Sequence, residues 1–192
     1  MMMRQLVLLV VCVLAIPVTA RAELSEAALW QALRDGGKVV IFRHAIAPGG
    51  GDPEGFRVDD CATQRNLNDQ GREQARRIGA SFRENGVTVS RVLSSQWCRS
   101  LDTARLAFVE PEPFPPLNSF FAGRGDRNQQ TEDTRAVIAG YTGPGTLVMV
   151  SHQVNITALT SIFPASGEGV VLRPAKGSDA GFEVLGRLRI GD

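Results

Sequence analysis

The sequence predicts a single α/β domain, with a mostly parallel central sheet flanked by helices and a closing antiparallel hairpin. Two continuous apolar runs, over residues 39–42 and 147–150, have the length and the β-branched content of strands buried on both faces. Segments of helical periodicity alternate with strand-like segments, as in chains that form a parallel sheet. A length of 192 residues suits one such domain with its own core.

The first residues predict a secretory signal peptide. Arg4 precedes an apolar stretch over residues 6–18, and Ala20-Arg21-Ala22 offers a cleavage site of the small-x-small type. The apolar stretch is short for a membrane span. We therefore expect residues 1–22 to be removed and residues 23–192 to form the domain, in the periplasm or outside the cell.

The charge balance indicates neither nucleic acid nor a membrane surface as a partner. The chain has 21 Lys and Arg against 20 Asp and Glu, and residues 1–22 hold two of the basic residues and no acid, which leaves the remainder with a formal charge of −1. Val11 precedes Cys12, where a lipoprotein signal would have a small residue, so no membrane anchor is expected. The oligomeric state is left open.

The expected export bears on whether the cysteines form a disulfide bond. Beyond residue 22 only Cys61 and Cys98 remain, an even pair in an oxidising compartment, which predicts a disulfide bond. Two buried free thiols are the alternative.

In the first half of the chain, caps and periodicity define the elements. Ser25 caps a helix over residues 25–34, and a strand follows over residues 38–44. Residues 45–66 have no periodicity, and a loop of that length in a compact domain is usually functional. Asn68 caps the next helix, which ends near Glu84 before Asn85-Gly86.

The second half continues the alternation. A strand ends near residues 93–95, and Ser94 or Ser95 caps a helix over residues 97–108. Residues 110–116 hold four prolines and are expected to form a loop. The remaining elements are a helix over residues 131–139, a strand ending at His152, a helix over about residues 155–162, and a hairpin of residues 170–173 and 182–189.

The only two histidines of the chain, His44 and His152, each follow a buried strand. Because parallel strands present their carboxyl ends at one edge of a sheet, the two imidazoles are expected to converge. Arg43 lies beside the first, and Arg99 lies where a third strand reaches that edge. Such a set, close to helix N-termini, favours a phosphate group as ligand.

The same arrangement predicts phosphoryl transfer through a phosphohistidine. An imidazole surrounded by positive charge has a lowered pKa and stays nucleophilic near neutral pH. A single histidine at a strand end is more often structural, but two with nearby arginines make that interpretation much weaker. No Cys, Asp or second His stands at ligand spacing from either one, so no metal or other cofactor is expected.

Four motifs of the chain resemble those of the histidine phosphatase (phosphoglycerate-mutase-like) superfamily, branch 1. Arg43-His44-Ala45 resembles its Arg-His-Gly signature, residues 67–75 its second motif, residues 94–104 its arginine-bearing motif, and Val150-Ser151-His152 its second histidine. The resemblance implies a phosphoglycerate-mutase-like fold and a metal-independent phosphatase. It implies His44 as nucleophile, with Arg43, Arg99 and His152 holding the phosphoryl oxygens.

At three positions this sequence differs from the motifs of the family, and these differences indicate which members it resembles most. Gln153 follows the second histidine where the acid-phosphatase branch has Asp, Ala45 replaces the usual Gly, and Ser119 follows Leu117-Asn118 where mutase-like members have a catalytic Glu. The chain also lacks the insertions of mutases. It is similar to the compact phosphatases, including phosphohistidine phosphatases and exported sugar-phosphate phosphatases.

The expected function is therefore an exported phosphomonoesterase acting on a small-molecule phosphate ester, with Gln153 among the substrate-binding residues. A non-catalytic phosphate-binding module of the same fold is the alternative. Expelling an alkoxide requires a proton donor. Glu168 is the first candidate for this general acid because its segment enters the closing hairpin near the pocket, and Asp126, on the loop after Ser119, is the second.

Overall fold

The structure is a computed structural model that describes residues 23–190, so the predicted signal peptide lies outside the described residues. The helices are α1 (Glu26–Arg34), α2 (Asp69–Glu84), α3 (Cys98–Ala107), α4 (Arg127–Gly140) and α5 (Gln153–Thr160). The strands are β1 (Lys38–Arg43), β2 (Val89–Ser94), β3 (Glu112–Pro113), β4 (Thr146–Ser151), β5 (Gly169–Pro174) and β6 (Phe182–Leu188). Within residues 23–190, no helix is both long and apolar enough to cross a membrane.

The six strands form one mixed sheet in the order β3-β2-β4-β1-β5-β6. The first four strands of that order run parallel to one another, whereas β5 pairs antiparallel with both β1 and β6. The predicted class, a mostly parallel α/β sheet closed by an antiparallel hairpin, is confirmed.

The alternation of side chains along the central strands divides the core into two layers. Val40, Phe42 and Val148 face α1, α2 and α3 on one side of the sheet. Ile41 and Met149 face α4 and α5 on the other. Every residue of β4 is buried, as the continuous apolar run predicted, because β4 is covered on both faces and paired on both edges.

Several elements differ from the sequence predictions. Helix α3 begins at Cys98 with Trp97 as N-cap residue, so neither Ser94 nor Ser95 occupies the cap position, although Ser95 Oγ accepts the Trp97 N–H at 3.2 Å. Helix α4 begins four residues earlier than expected, and α5 begins two residues earlier. The proline-rich segment contributes a two-residue edge strand, β3, that pairs with β2.

The predicted disulfide joins Cys61 to Cys98, with a Cα–Cα distance of 5.7 Å. It ties the long loop of residues 45–66 to the first residue of α3. Since the bridge constrains a stretch with a sequence separation of 37 residues in the unfolded chain, its loss is costly.

We expect reduction of this disulfide, or the pair Cys61→Ser and Cys98→Ser, to lower the free energy of unfolding by about 3–4 kcal/mol, the loop-closure entropy for a bridge of this span. Urea unfolding with and without reductant measures the difference, and the double variant should show no response to reductant. Equal unfolding midpoints for the wild type in both conditions would contradict the expectation.

Candidate active site

The register of the sheet brings the two histidines together. Arg43 of β1 pairs with Ser151 of β4, so His44 and His152 leave adjacent strands at the same level. The His44 N–H donates to the Ser151 carbonyl at 2.9 Å, which continues the ladder by one residue. The two imidazole centroids lie 5.4 Å apart, and both residues are buried. The predicted convergence of His44 and His152 follows directly from this pairing.

His44 is held in one orientation, with one ring nitrogen unprotonated. Its Nδ1 lies 2.8 Å from the carbonyl oxygen of Ala45, an acceptor, so Nδ1 carries the proton and Nε2 carries the lone pair. Burial, and then the positive charge of Arg99, lower the pKa of His44 to about 3, with smaller effects of Arg65 and Arg43. The imidazole is therefore neutral near pH 7, with a nucleophilic nitrogen available.

Three guanidinium groups surround that nitrogen. Arg99 donates from Nε to His44 Nε2 at 3.2 Å, and Arg43 and Arg65 line the same cavity of about 170 Å³ with both histidines. Among the described side chains, the Nε atoms of Arg43 and Arg65 are buried donors without a hydrogen-bond partner. Buried unpaired donors are costly unless a ligand satisfies them, and a tetrahedral anion supplies the oxygens that these donors lack.

His152 is held in place by Ser95, which directly follows the neighbouring strand β2. Ser95 Oγ lies 2.8 Å from His152 Nε2, which leaves Nδ1 as the ring nitrogen without a hydrogen bond within the described residues. Burial, and then the charges of His44 and of the arginines, lower the pKa of His152. Gln153, the first residue of α5, also lines the cavity, as predicted for a substrate-binding residue, and its amide donates to Thr157 Oγ1 at 2.9 Å.

Helix α2 supports the segment that follows His44. A Cβ on Gly71 would lie 2.0 Å from the Ile46 carbonyl oxygen, so only glycine allows this close approach. Gln74 then accepts the Ile46 N–H at 3.0 Å and donates to the Ser166 carbonyl at 2.8 Å. Residues 67–75 therefore hold the backbone that follows His44 in place.

The structure brings neither predicted general acid into the cavity. The Glu168 carboxylate is bound by Arg187, Arg189 and the Ala165 N–H, with Arg187 Nε at 2.6 Å. Although burial raises it, these partners keep the pKa of Glu168 below its ordinary value, so this side chain is poorly suited to donate a proton. Asp126 caps α4, accepting the N–H groups of Asn128 and Gln129.

Two charged residues of the cavity were not predicted, Asp52 and Arg65, both from the long loop. Asp52 forms a buried ion pair with Arg99, at 2.6 Å from Oδ1 to the Arg99 guanidinium. The loop has no periodicity that could place these residues, and the disulfide at Cys61 was the one signal that the loop lies against the start of α3. Across residues 23–190, no cluster of His, Cys, Asp and Glu is placed to hold a metal ion.

The two neutral histidines predict instability in mild acid. Below about pH 6.5, their ordinary pKa, the two histidines become protonated in the unfolded chain but stay neutral in the folded protein, where their pKa values are lowered. The free energy of unfolding should therefore fall as the pH decreases from about 6.5 towards 5, by up to about 1.4 kcal/mol per pH unit for each histidine. Urea unfolding between pH 7.5 and 5 measures the slope, above the range where carboxyl groups titrate. The free energy of unfolding of His44→Asn should depend less steeply on pH, because one of the two histidines is missing. Equal slopes in the variant and the wild type would show that His44 does not contribute to the pH dependence.

Comparison with known proteins agrees with this geometry. A family model described as histidine phosphatase superfamily (branch 1) matches residues 57–133, a span that contains Arg65 and Arg99 but neither histidine. No curated protein sequence matches the chain.

Solved structures of similar fold include the protein histidine phosphatase SixA complexed with tungstate, with a TM-score of 0.56 and 17% identity over 79% of this chain and 96% of that one. The product of the open reading frame Rv3214 from Mycobacterium tuberculosis has a TM-score of 0.56 and 16% identity, over 77% and 94% of the two chains. A putative alpha-ribazole-5'-P phosphatase from Escherichia coli has a TM-score of 0.54 and 16% identity, over 81% and 95%. These likenesses establish the fold.

Proposed function

From its identification as a member of branch 1 of the histidine phosphatase superfamily, we propose that this chain is an exported phosphomonoesterase that hydrolyses a phosphate ester through a phosphohistidine formed on His44. The observation that carries the proposal is the unprotonated Nε2 of His44, which accepts a hydrogen bond from Arg99 in a cavity that Arg43 and Arg65 also line. The predicted signal peptide of residues 1–22 and the Cys61–Cys98 disulfide support export.

The first step is attack of His44 Nε2 on phosphorus, which forms the P–N bond as the ester P–O bond breaks. Arg43, Arg99 and His152 bind the phosphoryl oxygens and stabilise their charge in the transition state. Because Nδ1 stays bonded to the Ala45 carbonyl, its proton remains on the ring and the phosphorylated imidazole is cationic. A cationic imidazole is a good leaving group.

In the second step, water attacks phosphorus, the P–N bond breaks, and inorganic phosphate and neutral His44 are released. The leaving group of the first step departs as an anion and takes its proton from solvent. Within residues 23–190, the carboxyl groups of Glu168, Asp126 and Asp52 are all held by other donors, so none is placed to supply that proton. The enzyme is therefore expected to favour substrates whose leaving group is stable without a proton from the protein.

This requirement favours phosphohistidine, a phosphoramidate, over a sugar phosphate as the physiological substrate class. With phosphohistidine, the bond that breaks in the first step is the P–N bond of the substrate, and a neutral imidazole leaves when its other ring nitrogen carries a proton. An imidazole leaving group needs no proton from an enzyme carboxyl group, whereas a sugar alkoxide does.

Steady-state hydrolysis of a series of phosphate monoesters by the purified protein tests the proposal. We expect p-nitrophenyl phosphate and phosphohistidine to be turned over much faster than an alkyl phosphate, and a chelator to leave the rates unchanged. Tight binding of inorganic phosphate without turnover of any substrate would instead establish the alternative, a non-catalytic phosphate-binding module of the same fold.

A further inference from the structure

Asp52 is the one carboxylate that lines the phosphate cavity in the described part of the chain. Its side chain is 4% exposed, and the side chain of its partner Arg99 is 3% exposed. A buried carboxylate in an active site could donate a proton, accept one, or hold another group in place. Its hydrogen bonds distinguish among these roles.

Four donors converge on the two carboxylate oxygens of Asp52. Oδ1 accepts from the Arg99 guanidinium at 2.6 Å and from the Arg65 N–H at 3.1 Å. Oδ2 accepts from the same guanidinium at 3.2 Å and from Trp97 Nε1 at 3.0 Å. A carboxylate offers about four lone-pair sites. All of them are in use, so Asp52 has no site left for a proton or for a catalytic water.

The electrostatics agree with this count. Burial raises the pKa of Asp52, but the hydrogen bonds and charge of Arg99, together with those from Trp97 and the Arg65 backbone, hold the pKa below its ordinary value. The group is ionised throughout the neutral range, as a fixed negative charge facing Arg99.

The opposite edge of the same guanidinium faces the nucleophile. Arg99 binds Asp52 through its two terminal nitrogens and donates to His44 Nε2 through Nε. Both terminal nitrogens and Nε lie in one rigid plane. The position of the carboxylate therefore sets the direction in which Arg99 Nε points.

We propose that Asp52 is a positioning residue that aligns Arg99 with His44 and with the transferring phosphoryl group, and takes no part in proton transfer. This inference rests on the proposed function, because it concerns the geometry of the same site. It also assigns a role to the long loop, which carries Asp52 to the start of α3.

The sign of the change in phosphate affinity tests the proposal. Asp52→Asn removes a negative charge that faces the guanidinium groups of Arg99 and Arg124, so electrostatics alone would tighten the binding of an anion. If Asp52 aligns Arg99, the variant should instead bind inorganic phosphate more weakly, and kcat for p-nitrophenyl phosphate should fall by about 10- to 100-fold. That is the range seen when a residue that orients a metal's ligands is removed. Tighter phosphate binding with an unchanged kcat would overturn the proposal.

A double-mutant cycle shows whether Asp52 acts through Arg99. In an Arg99→Lys background, which keeps the charge but lacks the planar fork, adding Asp52→Asn should change kcat and phosphate affinity by less than about twofold, because the aligned group is already lost. The full effect of Asp52→Asn in that background would show an independent role and would refute the proposal. Near-UV circular dichroism verifies that each variant is folded.

Asp59→Asn is the matched control, since Asp59 is an exposed acid in the same loop, outside the cavity. Its kcat and phosphate affinity should equal those of the wild type. If the wild-type protein turns over no substrate, the phosphatase proposal fails, whereas the phosphate affinities of the same cycle still decide the role of Asp52.

Discussion

Replacing His44 with alanine is expected to abolish turnover, with a loss of at least about 10⁴-fold in kcat, because the variant has no nucleophile to take the phosphoryl group. Across residues 23–190 the cavity contains one other imidazole, His152, whose Nε2 is engaged by Ser95. His44→Asn, which is closer in shape, should be equally inactive.

Rapid alkaline quenching of the wild-type protein with ³²P-labelled substrate provides the direct measurement. A base-stable, acid-labile phosphoprotein should accumulate in the wild type and be absent from both variants, while their circular dichroism spectra match that of the wild type. Normal turnover by His44→Ala would contradict the phosphohistidine mechanism.

The second large effect is expected at Arg99. Its guanidinium lies against the nucleophilic nitrogen and is 3.2 Å from it, so it can bind a phosphoryl oxygen most strongly as charge develops in the transition state. Arg99→Ala should lower kcat by about 10²–10³-fold, the range for a lost oxyanion donor. His152→Ala is expected to act in the same direction for the same reason.

Separate determination of kcat and KM with p-nitrophenyl phosphate checks this assignment. Arg127, an exposed residue at the start of α4, offers a control. Arg127→Ala also removes a guanidinium group, but from outside the cavity, and should leave kcat unchanged. A rise in KM alone in Arg99→Ala would show that the guanidinium binds the ground state and the transition state equally.

The core of this site was predictable because it depends on strands. His44 and His152 each follow an apolar run, and the rule that parallel strands share an edge is enough to bring them together. The pairing of Arg43 with Ser151 then places both side chains at one level.

The rest of the site depends on long-range pairing that local sequence does not encode. Asp52 could not be assigned to Arg99 because its loop lacks periodicity. Glu168 was assigned to the pocket, yet the antiparallel pairing of β5 with β6 places Arg187 and Arg189 beside it. The start of α4 was misplaced because its first turn is entirely polar, although Asp126 followed three residues later by Gln129 is a capping pattern.

The order of the sheet also has a consequence for how the protein acquires its native state. Strand β4 lies between β1 and β2 but is encoded more than 50 residues after β2, so the two parts of the phosphate cavity meet only when residues 146–151 insert between them. Such non-local pairing gives a high contact order and slow folding. A chain that ends before residue 146 has no β4, so during synthesis His44 and His152 cannot come together at adjacent strand ends until residues 146–152 have emerged.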